Sequence, residues 1–268
     1  TSFHTGPTFD GHAPHEHIGT RGVGLFVVCA LSAWLELQVC RDGRRHAQRF
    51  ERGRAVSKLS GTGPADSSGT RIVFVPDPQV FSNIGLDPGP VLARLKEMAC
   101  LFPRLTLTFK DRRAHVFHAP DGLESLVRAS ETFRGEASLA GAFVHGSSAE
   151  SILVEVAAIW CRSPGTSLES FANVMRTTDG GTHVDGLLRG LVSGVSQALP
   201  DLCRQRQDAE IDDPEYGRPT KDRLSSPRVA TIVERCIAEP FAAYLRSEPA
   251  LLARIADGLR GNADREPG

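Results

Sequence analysis

Three glycines, Gly19, Gly22 and Gly24, stand in the stretch HIGTRGVGLFVVCALSAWLEL directly before an apolar run. The chemistry open to such a stretch is anion binding. Glycine lets the backbone come close to a ligand and adopt positive φ, so that successive N–H groups converge on phosphate oxygens. A helix after the loop would add the partial positive charge of its N-terminus at the same place. The spacing Gly19-x-x-Gly22-x-Gly24 is not the dinucleotide fingerprint, because no strand precedes it, and no Gly-Lys-Ser/Thr follows to make a P-loop. A phosphate cradle and a tight turn before a core element both remain open, the turn being the simpler reading.

Other side chains gather in ways that could do chemistry. His12, His15 and His17, with His4 and Glu16 nearby, invite a metal reading. The spacing H-x-x-H-x-H matches no zinc pattern and no cysteine is close, which argues against it. His183, in the tetrapeptide GGTH, is read as part of a turn and helix start rather than as a base. Arg41, Arg44, Arg45 and Arg49 cluster on one hairpin, where a solvated basic face competes with a contact to DNA. The six cysteines are scattered with no C-x-x-C pair, which suits a reducing compartment and argues against structural zinc.

The elements that must position these groups follow from length and pattern. With 268 residues, 40% apolar and 24% charged, the chain can bury a core and is expected to divide into two units. A net charge of −1 gives no whole-chain reason for nucleic-acid binding. The longest apolar run, Leu25–Leu35, is too short to span a bilayer, and no secretory signal opens the chain; a cytoplasmic protein with no membrane partner is expected.

Leu25, Val28, Cys29, Leu31 and Leu35 fit a helical stripe, and LELQVCR then alternates like a strand. Asp42-Gly43 signals a hairpin turn before HAQRFERG, and GTRIVFVPD is a further strand. PGPVLARLKEMACLF and GLESLVRAS read as helices that flank a second hairpin, RLTLTFKD with AHVFHA. After about Arg134 the pattern restarts with strands in SLAGAFVHG, SILVEVAAIWCR and ESFANVMR. Val184, Leu187, Leu188, Leu191, Val192, Val195 and Leu199 then predict an amphipathic helix capped by Asp179 or Thr182. RVATIVERCIAEPFAAYL is a long helix expected to bend or end near Pro240, and ALLARIADGL a final one. The fold class is α+β, with a boundary near Arg134.

Taken together, GTRGVGLFVVCALSAWLELQVCRDGRRHAQRFERG resembles the second half of the ATPase domain of DNA gyrase B and of its topoisomerase IV counterpart, ParE. The resemblance continues in register through GTRIVFVPD, FSN, FANVMRTTDGGTHVDGL and PTKDRLSSPRV, and it covers almost the whole chain. It implies a partial GHKL (Bergerat-type) α/β sandwich over residues 1–134. A transducer domain of the ribosomal-protein-S5-domain-2 type would follow over 135–268.

In that family the glycine loop wraps the triphosphate, so the resemblance assigns Gly19, Thr20, Arg21, Gly22, Val23 and Gly24 to phosphate binding. It places the transducer lysine, which meets the γ-phosphate, at Lys221. The implied cofactor is ATP with Mg2+. The implied partners are a gyrase A/ParC-type subunit and double-stranded DNA, with a homodimer as a further possibility.

The chain also departs from the family. The family's histidine in the glycine loop is Arg21 here and its leucine is Thr20, while Pro219 replaces the glutamine before Thr220 and Lys221. The general-base glutamate, magnesium-binding asparagine and adenine-binding aspartate fall upstream of Thr1, and a family strand is missing between Leu199 and Pro214. This chain alone is therefore not expected to hydrolyse ATP well or to cut DNA. The leading function is a fragment of the ATP-hydrolysing subunit of a type IIA topoisomerase. The alternative is a diverged, non-catalytic gyrase B-like binding or regulatory module.

Overall fold

A computed structural model describes residues 24–134, 138–161, 165–203 and 224–263. The fold is α+β, and by packing the chain divides into two compact units, Thr1–Pro88 and Gly89–Gly268.

The described residues of the first unit form a short helix and an antiparallel sheet. Helix α1 (Gly24–Ala30) leads into β1 (Ser32–Arg41), which pairs on one side with β2 (Arg44–Glu51). On its other side β1 pairs with β5 (Gly69–Pro76). The short strands β3 (Arg54–Ala55) and β4 (Ser60–Pro64) line the outer edge of β2. Asp42 and Gly43 have φ of 54° and 71°, the two left-handed positions that a tight two-residue hairpin needs.

The expected helical stripe through Leu35 is corrected here. The helix stops at Ala30, and Leu35 is a buried residue of the central strand, paired with Phe50 on β2 and Phe74 on β5. Two hydrogen bonds favour the break. Ser32 donates its hydroxyl to the Val28 carbonyl (2.6 Å), and the Leu31 carbonyl accepts the Asp77 amide (3.0 Å) instead of a helical one.

The second unit carries α2 (Pro88–Leu101), the hairpin β6 (Leu107–Lys110)/β7 (Ala114–Phe117), and α3 (Leu123–Arg134). The hairpin β8 (Phe143–Ala149)/β9 (Ile152–Ala158) follows. Its turn residues Glu150 and Ser151 both have positive φ, 51° and 66°, and neither is glycine. Arg228 holds this turn through a two-pronged bond to the Glu150 carboxylate, and Arg235 lies 3.6 Å from the same group.

ESFANVMR, expected as one strand, forms two two-residue strands, β10 (Phe171–Ala172) and β11 (Met175–Arg176). They fold back at Asn173, whose φ of 54° is a conformation asparagine tolerates better than most residues.

Helix α4 (Thr182–Ala198) is followed by the single turn α5 (Pro200–Cys203), then by α6 (Pro227–Ser247) and α7 (Pro249–Ala263). The core joins Phe143 and Val154 of the β8/β9 hairpin to Ile232, Ile237, Phe241 and Leu245 of α6. Trp160 stacks on Phe241, and Tyr244 donates its hydroxyl to the Gly141 carbonyl (2.6 Å).

Three expectations for the helices are corrected. The first concerns α6, which does not end at Pro240 but runs on to Ser247. The buried residues Ile237, Phe241, Ala242 and Leu245 lie on both sides of the proline, so packing offsets the missing hydrogen bond. The second concerns the start of α4, which has Gly181 at its N-cap with no side-chain cap, in place of Asp179 or Thr182.

The third concerns part of the apolar stripe on α4, of which Leu187, Leu191 and Val195 do pack against the core. Leu188 and Val192 are 53% and 67% exposed, whereas Gly186, Gly190 and Gly194 are buried against α6. A Cβ on Gly190 would lie 2.8 Å from the Ile237 Cβ, and one on Gly194 2.8 Å from the Ala238 oxygen. Only hydrogen at these positions lets the two helices come this close.

Candidate functional site

Gly24 opens α1 and is exposed, with open space where a Cβ would be. Gly19, Thr20, Arg21, Gly22 and Val23 lie outside the described residues, as do His4, His12, His15, Glu16 and His17. What the structure shows is the foundation behind the glycine loop.

The C-terminal end of α1 is gripped by two segments distant in sequence. The Arg52 amide donates to the Ser32 carbonyl (3.1 Å), and the Arg52 guanidinium donates to the Asp77 carboxylate (2.6 Å). Asp77, only 3% exposed in its side chain, also accepts the Gln79 amide (3.0 Å). The guanidinium and then the amide hold the Asp77 carboxyl below the usual carboxylate range. Gly53, with φ of 78°, packs so closely that a Cβ there would lie 3.2 Å from the Ala30 Cα. The motif pairs Arg52-Gly53 and Pro76-Asp77 thus brace the helix that the glycine loop enters. Sequence reasoning used both pairs only for register, and the ion pair between them went unread.

A second polar cluster surrounds Gly180-Gly181. The buried Thr177 exchanges hydrogen bonds with Ser170 (hydroxyl to hydroxyl, 2.6 Å) and lies 3.1 Å from Nε2 of His183. Burial pushes the His183 imidazole below its ordinary range, against the opposing pull of Asp185. His183 therefore sits in the network that shapes the turn. Leu224 pairs with this turn in parallel fashion: its carbonyl accepts the Thr182 amide (2.8 Å), and its amide donates to the Gly180 carbonyl (3.3 Å). Pro219, Thr220 and Lys221 lie outside the described residues.

A third group ties α2 to the β10/β11 hairpin. Arg176 is bonded to Glu97 and Glu169 and lies over the Phe171 ring, while Arg94 bonds Glu97 and the Val174 carbonyl. Burial alone would raise the Glu97 carboxyl, but the two arginines hold it down. All charges here are matched, and the group is structural.

The basic hairpin does not form one patch. The register pairs Cys40 with Arg45 and Glu36 with Arg49, while Arg44, opposite Arg41, alternates to the other side. Arg49 lies over the Trp34 ring (4.6 Å) beside Glu36 (4.0 Å) and Glu51 (3.8 Å). On the opposite side Leu37, Val39, His46 and Gln48, with Arg41 and Arg44 at the rim, line a shallow groove. Among the described residues no group of three histidine, cysteine, aspartate or glutamate side chains could hold a metal ion. No described helix is long and apolar enough to cross a membrane.

Residues 122–206 match the DNA gyrase B family. The DNA gyrase B protein of Synechocystis is 32% identical over 96% of this chain, which covers 26% of that protein. The topoisomerase 4 B protein of Bartonella bacilliformis is 31% identical over 99% of this chain, which covers 44% of it. The crystal structure of the 43K ATPase domain of Thermus thermophilus gyrase B, solved with an aminocoumarin, superposes with a TM-score of 0.69 at 30% identity. That match takes in 91% of this chain and 71% of the other.

The chain belongs to the gyrase B/topoisomerase IV B family.

It spans between a quarter and under a half of these two curated family members. Their alignments, at 287 and 314 positions, are longer than the 268-residue chain, so each relative carries residues that this chain lacks. The fold of the described residues is that of the gyrase B and topoisomerase IV B ATPase region.

Proposed function

We propose that this chain supplies the phosphate end of the nucleotide site in the ATP-hydrolysing subunit of a type IIA DNA topoisomerase, together with the lysine that couples nucleotide binding to DNA strand passage. In this reading Gly19, Thr20, Arg21, Gly22, Val23 and Gly24 wrap the triphosphate, and Lys221 meets its terminal phosphate as a point charge. Arg21 suits the role, since a guanidinium is a good phosphate donor. Residues 1–134 belong to the GHKL domain and 135–268 to the transducer. ATP with Mg2+ is the cofactor, a gyrase A/ParC-type subunit and double-stranded DNA are the partners, and the cytoplasm is the compartment.

The observation that carries this reading is the 30% identity to a gyrase B ATPase domain over 91% of the chain. The braced α1 adds support, because a loop that closes on phosphate needs a fixed base. A second reading, a non-catalytic gyrase B-like module, draws on Pro219 and Thr20 at positions where the family has other residues.

Titration of the chain with a non-hydrolysable ATP analogue and magnesium separates the two. Binding near the micromolar range, weakened about tenfold or more by Lys221→Ala, is the expected result. No binding at millimolar nucleotide sinks the phosphate reading and leaves the module.

A further inference from the structure

We propose that the tip of the β6/β7 hairpin is a contact for duplex DNA, in which Lys110, Arg112 and Arg113 meet backbone phosphates. The inference rests on the reading of double-stranded DNA as a partner and gives that partner a surface. Seven consecutive residues, Lys110 to Val116, are all exposed, whereas Phe109 and Phe117 at the two ends of this stretch are partly buried. Among the described residues β6 and β7 pair only with each other. The element is a two-stranded ribbon, anchored at its base and bare at its tip.

Charge gathers at the bare end. Lys110, Arg112 and Arg113 stand within four positions, and Asp111 is the single acid among them. Arg52, Arg94, Arg176 and Arg228 each meet a carboxylate. Among the described residues the three cations of the tip form no such pair. Nor does the turn need their side chains, because main chain holds it: the Asp111 amide donates to the Arg113 carbonyl (3.1 Å). With a net charge of −1, the chain as a whole does not attract polyanions, so attraction must come from a local group of this kind.

Shape selects the duplex among polyanions. The major groove of B-DNA is about 12 Å wide and admits a two-stranded ribbon, whose strands lie about 4.8 Å apart. Phosphates line both walls of that groove, with one negative charge per about 1.7 Å of helix axis. Three cations on neighbouring residues therefore find partners wherever the tip enters. Each guanidinium can grip a phosphate with two N–H groups, and Lys110 adds a point charge. Such contacts place the protein on DNA and read no sequence.

The test is binding of the full chain to a short labelled duplex, read as anisotropy over a salt series from about 50 to about 200 mM. Each phosphate contact adds about 0.9 to the slope of log affinity against log salt. Replacing all three cations, as Lys110→Gln, Arg112→Gln and Arg113→Gln together, should flatten the slope by about 2.7 and weaken low-salt binding more than about tenfold. Arg112→Lys with Arg113→Lys keeps the charges and should keep the slope.

An unchanged slope in the glutamine variant overturns the tip contact and leaves DNA as a partner. A wild-type chain that binds no duplex at low salt overturns the contact and the DNA part of the proposed function together, while the nucleotide titration still decides the rest. Equal competition by polyglutamate, charge for charge, also overturns the contact, because the groove would then play no part. If the glutamine variant does not fold, Arg112→Ala alone, with an expected flattening of about 0.9, decides by the same outcomes.

Discussion

The sheet of the first unit and the α4–α6 pair of the second are held together in opposite ways. In the sheet, strand pairing and side chains make the fastening: the buried Leu35 in register with Phe50 and Phe74, and Arg52 reaching the buried Asp77. Between α4 and α6 the fastening is a lack of side chains, with Gly186, Gly190 and Gly194 admitting the partner helix. Apolar side chains on the same helix, Leu188 and Val192, face outward. The apolar stripe of that helix is thus divided: Leu187, Leu191 and Val195 pack against the core beside the glycines, while Leu188 and Val192 do not.

The strongest way to break the comparison is on the α6 side. Ile237 is fully buried, and Ile237→Ala should cost about 2–5 kcal/mol, seen as a lower urea midpoint. Next comes Gly190→Ala. At an exposed helix position this change stabilises by nearly 1 kcal/mol, whereas here the clash with Ile237 should reverse the sign and cost about 1–3 kcal/mol. A stabilised Gly190→Ala variant would show that the helices can part freely.

In the sheet unit Gly43→Ala tests turn geometry alone. Nothing stands near an added Cβ, so only the φ of 71° resists it, at about 1 kcal/mol in thermal unfolding.

A smaller effect concerns pH. His183 is held below its ordinary 6.5 by burial, so below pH 6.5 the unfolded chain takes up a proton that the folded chain refuses. Stability from this group is complete above 6.5 and falls as the pH drops toward the folded value. His183→Gln should flatten that part of a stability-against-pH curve. Smallest of all, Leu188→Lys and Val192→Glu should each stay within about 0.5 kcal/mol of the parent, despite removing members of the apolar stripe.

These contrasts mark what the sequence made legible. Asp42-Gly43 announced its turn because left-handed backbone leaves a composition signature, and β2 and β5 followed from alternation and the Gly69 and Pro76 fences. The α1/β1 junction was misplaced because Leu31 and Leu35 satisfy a helical period and a strand period alike. On α4 the periodicity marked Leu187, Leu191 and Val195, which pack against the core, but not the glycine seam beside them, because glycine adds nothing to apolar periodicity. Of the candidate site, the order of motifs was readable, and the family match agrees with it. The Arg52–Asp77 pair and the Gly181–Leu224 pairing were not, since each joins segments that only the folded chain brings together.

The Glu150–Ser151 turn carries a consequence for ionic strength. Its residues lack glycine's freedom at positive φ, and the fastening comes from Arg228 and Arg235 on an exposed carboxylate. Dissolved ions weaken such surface attraction, with a screening length of about 8 Å at physiological salt and about 3 Å at 1 M. The α4–α6 contact, being steric, ignores them. Concentrated salt should therefore loosen the tip of the β8/β9 hairpin before it touches the helices, which makes the hairpin tip the brine-sensitive corner of the second unit.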